Sequence, residues 1–368
     1  MPDMVVESRP MSNAYLVTGV PGFIGKRLVQ KLVPEGRRVF LLCEPRFREQ
    51  TEAWAKDVPG AEKDQLVAVA GDITQPDLAL GDQLERVRAE VSDVYHLAAV
   101  YDLAVPEDVA RKVNVLGTGK VLKFLRSFPA GRTPRHHYVS TCYVAGTREG
   151  MIFENELDRG QGFKNHYEST KYAAEVLVER SKGEVDTRIL RPAVVIGDSK
   201  TGETPKFDGP YPMFGAIMMG LMVAVPGAAR ARVNLVPVDW IVDCLVAIPR
   251  QPDTAGKTFQ LADPSPLSSQ EIIELAAERL GAPRPRLNLP EGLFRPLFRV
   301  QKLRDLTKLS EEGLAYVNHL QVFDTTNTRT ALRGTGLEAP PPLPSYLNQI
   351  LRYYRDRVKL PWRFDTPG

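Results

Sequence analysis

Tyr167 and Lys171 stand four residues apart at the start of a strongly helical stretch, so one helix face carries a phenol and an ammonium with Cβ atoms about 5–6 Å apart. A free phenol keeps its proton up to a pH of about 10. An ammonium beside it favours phenolate and brings the group toward neutrality, where it can donate or accept a proton. Just upstream, the run VSTCYVAG at 139–146 ends a predicted strand with Ser140 and Thr141 side by side. A hydroxyl there can hold a substrate oxygen next to the phenolic proton. Taken alone, a Tyr–Lys pair at this spacing equally describes an ordinary helix surface.

A second chemistry is written near the N-terminus, where YLVTGVPGFIG places Gly19, Gly22 and Gly25 between a predicted strand and a helix opening at Phe23 and Ile24. The first glycine permits a tight turn, and the second lets backbone approach a pyrophosphate. The third lets the helix, with its positive N-terminal end, pack close to the sheet. A glycine-rich turn that binds nothing is the competing reading, and its place between strand and helix weighs against it.

The elements that must position these residues follow from the apolar pattern. Strands are predicted at 15–17, 39–43, 65–70, 93–98, 135–140 and 187–190, with helices at 23–33, 84–88, 110–127 and 167–181. Strands alternating with helices predict an α/β fold, a doubly wound parallel sheet covered on both faces. After Arg191 the alternation lapses into a Gly-, Pro- and Met-rich stretch, 198–230. A strand–helix unit at 234–248 restores it, and 263–345 reads as helices joined by Pro-rich turns, with a rigid connector at 339–344.

Composition bounds the rest. In 368 residues, 48 Lys and Arg against 45 Asp and Glu leave a formal charge of +3, which argues against nucleic acid as a partner. The three cysteines are widely separated and in no metal-ligand spacing, and the five histidines form no ligand set, so no metal is expected. The longest apolar stretch, 213–226, is too short and too glycine-rich to span a bilayer. The N-terminal decapeptide lacks the apolar core of a signal peptide, so the chain reads as soluble and cytoplasmic, without stable membrane insertion.

The spacing G-x-x-G-x-x-G, followed by GlyAspIle at 71–73, HisLeuAlaAla at 96–99, Asn114, Thr141 and the Tyr167–Lys171 pair, resembles the extended short-chain dehydrogenase/reductase superfamily. The resemblance implies a Rossmann sheet over residues 12–190, completed by about 232–262. A smaller, mostly helical substrate lobe would come from 191–231 and 263–345, with 346–368 as a C-terminal helix and tail. It assigns the cofactor to Gly19, Gly22, Phe23, Ile24, Gly25, Asp72, Ile73, Leu97, Ala98, Ala99, Tyr167, Lys171 and Pro192. In that assignment Tyr167 moves the proton, Lys171 assists it and holds the nicotinamide ribose, Thr141 orients the substrate oxygen, and Asn114 serves a proton relay or braces the backbone. It also implies a homodimer through the helices at 110–127 and 167–181.

The cofactor reads as NADP, with NAD possible. The acid that NAD enzymes place at the end of the second strand is replaced by Cys43, with Arg46 and Arg48 close behind, while Glu44 argues the other way. Segments outside the shared fingerprint, at 96–103, 190–203, 208–211 and 234–243, are similar to the N-terminal reductase-type domain of bacterial fatty acyl-CoA and fatty aldehyde reductases. The substrate this implies is a small hydrophobic carbonyl compound, a fatty aldehyde or acyl thioester. Met213, Met218, Met219 and Met222 would suit an adaptable wall for an acyl chain, or an ordinary buried helix. The mixed segment 293–309 would touch a membrane surface or simply cover the lobe. Two alternatives stand: a sugar-nucleotide epimerase or dehydratase using Arg232 on a diphosphate, and a non-catalytic cofactor-binding regulator.

Overall fold

Short apolar runs and amphipathic stretches settle as strands and covering helices in chain order: β1 (Ala14–Thr18), α1 (Phe23–Leu32), β2 (Val39–Cys43), α2 (Arg48–Lys56), β3 (Leu66–Ala70), α3 (Leu84–Glu90) and β4 (Val91–His96). There follow α4 (Glu107–Ala110), a π-helical stretch (Arg111–Gly117), α5 (Thr118–Arg126), β5 (Arg135–Val139), β6 (Gly150–Ile152), α6 (His166–Ser181) and β7 (Thr187–Pro192). The second part comprises β8 (Val194–Ile196), α7 (Tyr211–Met218), β9 (Ala224–Pro226), β10 (Leu235–Pro237), α8 (Val238–Ala247), β11 (Thr258–Leu261), α9 (Ser269–Arg279) and β12 (Leu287–Leu289). It closes with β13 (Gln321–Phe323), α10 (Thr326–Ala331) and α11 (Leu343–Arg357). The structure is a computed structural model and describes residues 13–101, 105–222, 224–226, 230–285, 287–289 and 320–365. The segment 293–309 lies outside the described residues.

Seven strands form one parallel sheet in the order β3-β2-β1-β4-β5-β7-β11. A parallel sheet covered on both faces needs strands apolar on both sides, and every residue of β1, β2 and β7 is buried. Alternate residues feed opposite cores: Val17 and Leu41 pack with Leu28, Ile241 and Leu245, whereas Leu16 and Phe40 pack with Val121, Leu125 and Val178. Strand order reverses between β1 and β4, which opens a crevice at their C-terminal ends, where Thr18 and His96 are register partners.

A third core joins α7, α9 and α11 through Phe214, Ile217, Ile273, Ala276, Leu347 and Ile350. Two sequence-drawn boundaries change. Residues 320–337, expected in the substrate lobe, lie on the first core: β13 pairs with β6, Phe323 and Leu332 are buried there, and Trp240 Nε1 donates to the Leu337 carbonyl at 3.0 Å. The C-terminal helix starts at Leu343 and packs within the lobe rather than standing apart, because its apolar stripe covers α7 and α9. The helix expected at 110–127 is interrupted by the π-helical stretch.

Candidate active site

The glycine loop is built for close approach. Gly19 has φ of +85°, and a Cβ there would lie 2.9 Å from the Ala98 nitrogen. A Cβ at Gly22 or Gly25 would come within 2.6 or 2.7 Å of the Gly19 carbonyl. The loop therefore folds tightly over the end of β4, and the N-terminus of α1 opens into the crevice. Thr18, just ahead of it, accepts from the backbone nitrogens of Leu97 and Ala98 at 3.1 and 3.0 Å. These residues, with Phe23, Ile24, Asp72, Ile73 and Ala99, line one end of a cavity of about 1520 Å³. The cradle, with its helix N-terminus and bare glycine backbone, fits a dinucleotide pyrophosphate. Asp72 spends one carboxylate oxygen on the Thr74 nitrogen at 2.8 Å, and Ile73 is buried against Gly117.

Midway along the cavity lie Thr141, Tyr167, Lys171 and Pro192. Of the two adjacent hydroxyls, Ser140 donates to the buried Glu175 carboxylate, which commits its proton away from a substrate. Thr141 is the one whose hydroxyl lies near the Tyr167 phenol. Thr141 also donates weakly to the Pro192 carbonyl at 3.4 Å. Tyr101 meets the Tyr167 ring edge-on at 5.1 Å.

The electrostatics differ from the expectation drawn from spacing. Burial pushes the Tyr167 phenol up from its ordinary value, opposed only by the influence of the Thr141 hydroxyl. Lys171 is 3% exposed, and its ammonium donates to the Tyr138 hydroxyl at 3.1 Å and the Val139 carbonyl at 2.9 Å. Burial lowers its pKa to about 8, and Glu175 pulls it back up. The helix does place both residues on the cavity. The lysine's bonds, however, run to β5, so the phenol is held protonated by burial instead of being ionised by its neighbour.

Asn114 does not reach the phenol or the ammonium. Its carbonyl oxygen accepts from Val100 N at 2.9 Å, and its amide donates to Thr170 at 3.0 Å, so it ties the loop after β4 to α6. Of the two roles expected, the geometry is that of bracing. At the end of β2, Cys43 is buried, while Glu44 and Arg46 pair at 3.0 Å on the cavity rim, both exposed. Arg232 donates to the Pro266 carbonyl at 2.8 Å and is not among the lining residues. The far end of the cavity is apolar, walled by Met213, Ala216, Met222, Val233, Leu235 and Ile272. Met218 and Met219 are buried outside it.

Two groups escaped the sequence reading. Glu175 forms a fully buried pair with Arg191, with Nε and Nη2 both on Oε1 at 2.9 and 2.5 Å. Its position four residues after Lys171 on the same helix was the available signal. Glu154 is buried and caps α10 from a distance, accepting from Asn327 N at 2.5 Å and the Thr328 hydroxyl at 2.8 Å, and nothing local marks it. Among the described residues no group of three or more His, Cys, Asp or Glu is arranged to hold a metal ion, and no helix is long and apolar enough to cross a membrane.

Comparison with known proteins agrees with this architecture. The sequence pattern of the NAD-binding family described as male sterility protein matches residues 17–245. The chain is 28% identical over 277 residues to the non-canonical nonribosomal peptide synthetase cpsA of Aspergillus campestris, an alignment covering 68% of this chain and 26% of that protein. It is 25% identical over 276 residues to fatty acyl-CoA reductase 1 of Gallus gallus, covering 63% and 53%. The chain thus spans between about a quarter and a half of these curated relatives. The terminal R domain from the myxalamid PKS-NRPS biosynthetic pathway superposes with a TM-score of 0.78 at 27% identity, over 95% of this chain and 92% of that one. MoeE5 in complex with UDP-glucose and NAD, at 21% identity and a TM-score of 0.65, over 94% of this chain and all of that one, shares the fold alone. The glycine cradle, the seven-stranded parallel sheet and the match over more than half its length place this chain in the NAD-binding male sterility protein family, whose sheet and glycine spacing are of the extended short-chain dehydrogenase/reductase type.

Proposed function

We propose that this chain is an NADP(H)-dependent reductase of a hydrophobic carbonyl compound, a fatty aldehyde or an acyl thioester. The observation that carries the reading is one continuous cavity: the glycine cradle at one end, the Thr141–Tyr167 hydroxyl pair in the middle, and an apolar wall at the other. Its volume of about 1520 Å³ exceeds the roughly 300–1,000 Å³ of a single drug-sized site and suits two ligands end to end.

Gly19, Gly22 and Gly25 would hold a nicotinamide dinucleotide, which when bound would supply hydride for the carbonyl carbon. Thr141 holds the carbonyl oxygen, and Tyr167 donates the proton that this oxygen takes up as the carbon is reduced. A phenol kept protonated by burial is suited to that donor role at neutral pH. An aldehyde leaves as an alcohol, and a thioester becomes a hemithioacetal that expels thiol to give the aldehyde. Lys171 positions the β5 end and presents positive charge at the ribose. Arg46 on the rim supplies a cation for a 2′-phosphate.

The similarity to a fatty acyl-CoA reductase and to a terminal R domain supports this substrate class. The sugar-nucleotide alternative loses its phosphate-binding arginine, since Arg232 is committed elsewhere. The proposal includes a cytoplasmic homodimer, for which Leu116, 55% exposed between α4 and α5, offers apolar surface.

The test is nicotinamide absorbance with NADPH and, separately, NADH, against a medium-chain aldehyde, its acyl-CoA and a UDP-sugar. Tyr167→Phe is expected to lower turnover at least about 100-fold while NADPH still binds. No consumption of either nicotinamide with aldehyde or acyl-CoA, in a protein that binds cofactor, would overturn the reading.

A further inference from the structure

We infer that Glu175 is a positioning residue of this site, the buried counter-ion of Lys171 and the anchor that seats the ends of β5 and β7 beside the cavity. The inference rests on the reductase reading and extends it to a residue the cavity does not touch. Glu175 is completely buried, one turn of α6 beyond Lys171. One carboxylate oxygen takes both the Nε and Nη2 donors of Arg191, and the other accepts from the Ser140 hydroxyl. Ser140 and Arg191 immediately precede Thr141 and Pro192, which line the cavity. A single carboxylate thus fixes two neighbouring strand ends where they meet the site. Arg191 is tied further by its bond to the Glu156 carbonyl at 2.9 Å.

The same carboxylate is what favours the charged form of Lys171. The ammonium's two hydrogen-bond partners, the Tyr138 hydroxyl and the Val139 carbonyl, are neutral. The other groups facing this region are His96 from β4, Arg191 from β7, Cys142 after β5, and Tyr167 and Glu179 on α6. Burial holds His96 neutral and the Cys142 thiol and Tyr167 phenol protonated, and Arg191 is a cation. Burial works against the ammonium, and Glu175 is the group that offsets it.

Glu175→Gln tests this through the pH dependence of NADPH binding, read by nicotinamide fluorescence, alongside turnover. The alkaline loss of affinity, expected near pH 8 in the parent, should move down by about one pH unit. kcat should fall about 10- to 100-fold with KM little changed, because Thr141 loses its seat. An unmoved alkaline limb in the folded variant overturns the counter-ion role. Because that variant leaves the Arg191 cation buried without its partner, Glu175→Gln with Arg191→Met removes both charges and should displace the limb in the same direction by a smaller amount, since the repelling guanidinium is lost too. Ser140→Ala keeps the ion pair intact and should lower kcat about 10-fold at unchanged KM; an unchanged kcat overturns the anchoring role. Cofactor binding needs no carbonyl substrate. Absence of turnover in the parent would therefore sink the reductase reading, while the displaced binding limb would still report on Glu175.

Discussion

The Thr18 hydroxyl lies 2.9 Å from Nδ1 of His96, its register partner across the switch point of the sheet. On the far side of the ring, Nε2 is 3.1 Å from Thr118, whose hydroxyl spends its proton on the Asn114 carbonyl. Nε2 must therefore carry the imidazole hydrogen, and Nδ1 accepts from Thr18. That leaves both Thr18 lone pairs for the nitrogens of Leu97 and Ala98. The neutral ring that this requires matches its burial, which lowers the pKa of His96 well below the ordinary value.

Thr18→Val preserves the shape and orphans two half-buried N–H groups and the buried Nδ1 of His96 at the point where the glycine loop meets β4. The expected cost is about 1–3 kcal/mol of stability, with weaker NADPH binding because Gly19 and Ala98 share that seat. Urea unfolding together with cofactor titration checks this. A variant as stable and as tight-binding as the parent would show that the hydroxyl does not hold the crevice floor.

Stability should fall in mild acid through the buried histidines. The pKa of His136 is lowered by burial to about 3, and those of His96 and His137 are lowered too. A histidine whose folded pKa lies below its unfolded value resists protonation in the folded state. Its contribution is therefore fully present above pH of about 6.5 and is lost as pH falls toward 3. His136→Leu removes one such proton; the ring's Nε2 has no hydrogen-bond partner among the described residues, and Nδ1 forfeits a 3.3 Å contact with the Thr187 hydroxyl. Between pH 6 and 4 the slope of unfolding free energy with pH should flatten by about 1.4 kcal/mol per unit. An unchanged slope would mean that His136 does not govern acid lability.

What the sequence made legible was whatever is local. The glycine turn, the Tyr–Lys helix face and the strand–helix alternation are each written within a dozen residues, and each is where spacing put it. Contacts that join distant segments were not legible: Glu154 capping α10, β13 pairing with β6, and Ser140 being claimed by Glu175. In the last case local pattern even pointed two ways, since Ser140 and Thr141 are equal candidates by type. Only the buried Glu175–Arg191 pair decides between them. The ionisation of Tyr167 is not legible for a related reason, because spacing gives the distance between side chains but not the Tyr138 and Val139 partners that claim the ammonium.

Cofactor preference turns on Arg46. Its pairing with Glu44 at 3.0 Å is exposed, 70% and 52% for the two side chains, and such a pair contributes about 0–1 kcal/mol. The guanidinium is therefore easily redirected to a 2′-phosphate, where a charge-assisted bond contributes about 1.5–3 kcal/mol. Arg46→Ala should weaken NADPH about 10- to 100-fold and leave NADH nearly unchanged. Glu44→Ala should tighten NADPH slightly by removing the competitor. Equal losses for both nicotinamides in Arg46→Ala would assign the residue to the shared adenosine half and undercut the NADP preference.

Chain-length selection should reside in α7. Ala216 is only 3% exposed yet lines the apolar end, facing a space otherwise walled by residues that include Met213, Met222 and Ile272. A larger side chain there can extend into the cavity instead of into packed neighbours, so Ala216→Phe should cost less than the roughly 1–3 kcal/mol of an overpacked core. It shortens the apolar path while leaving Thr141, Tyr167 and the glycine loop untouched. Short aldehydes should keep their kcat/KM, and each methylene that no longer finds a place should forgo about 0.8 kcal/mol, roughly fourfold in kcat/KM. A homologous series from butanal to dodecanal, compared between parent and variant, reads this directly. Discrimination that is unchanged along the series would place the acyl chain elsewhere, because a wall the chain touches cannot be enlarged without the longer substrates losing contact first.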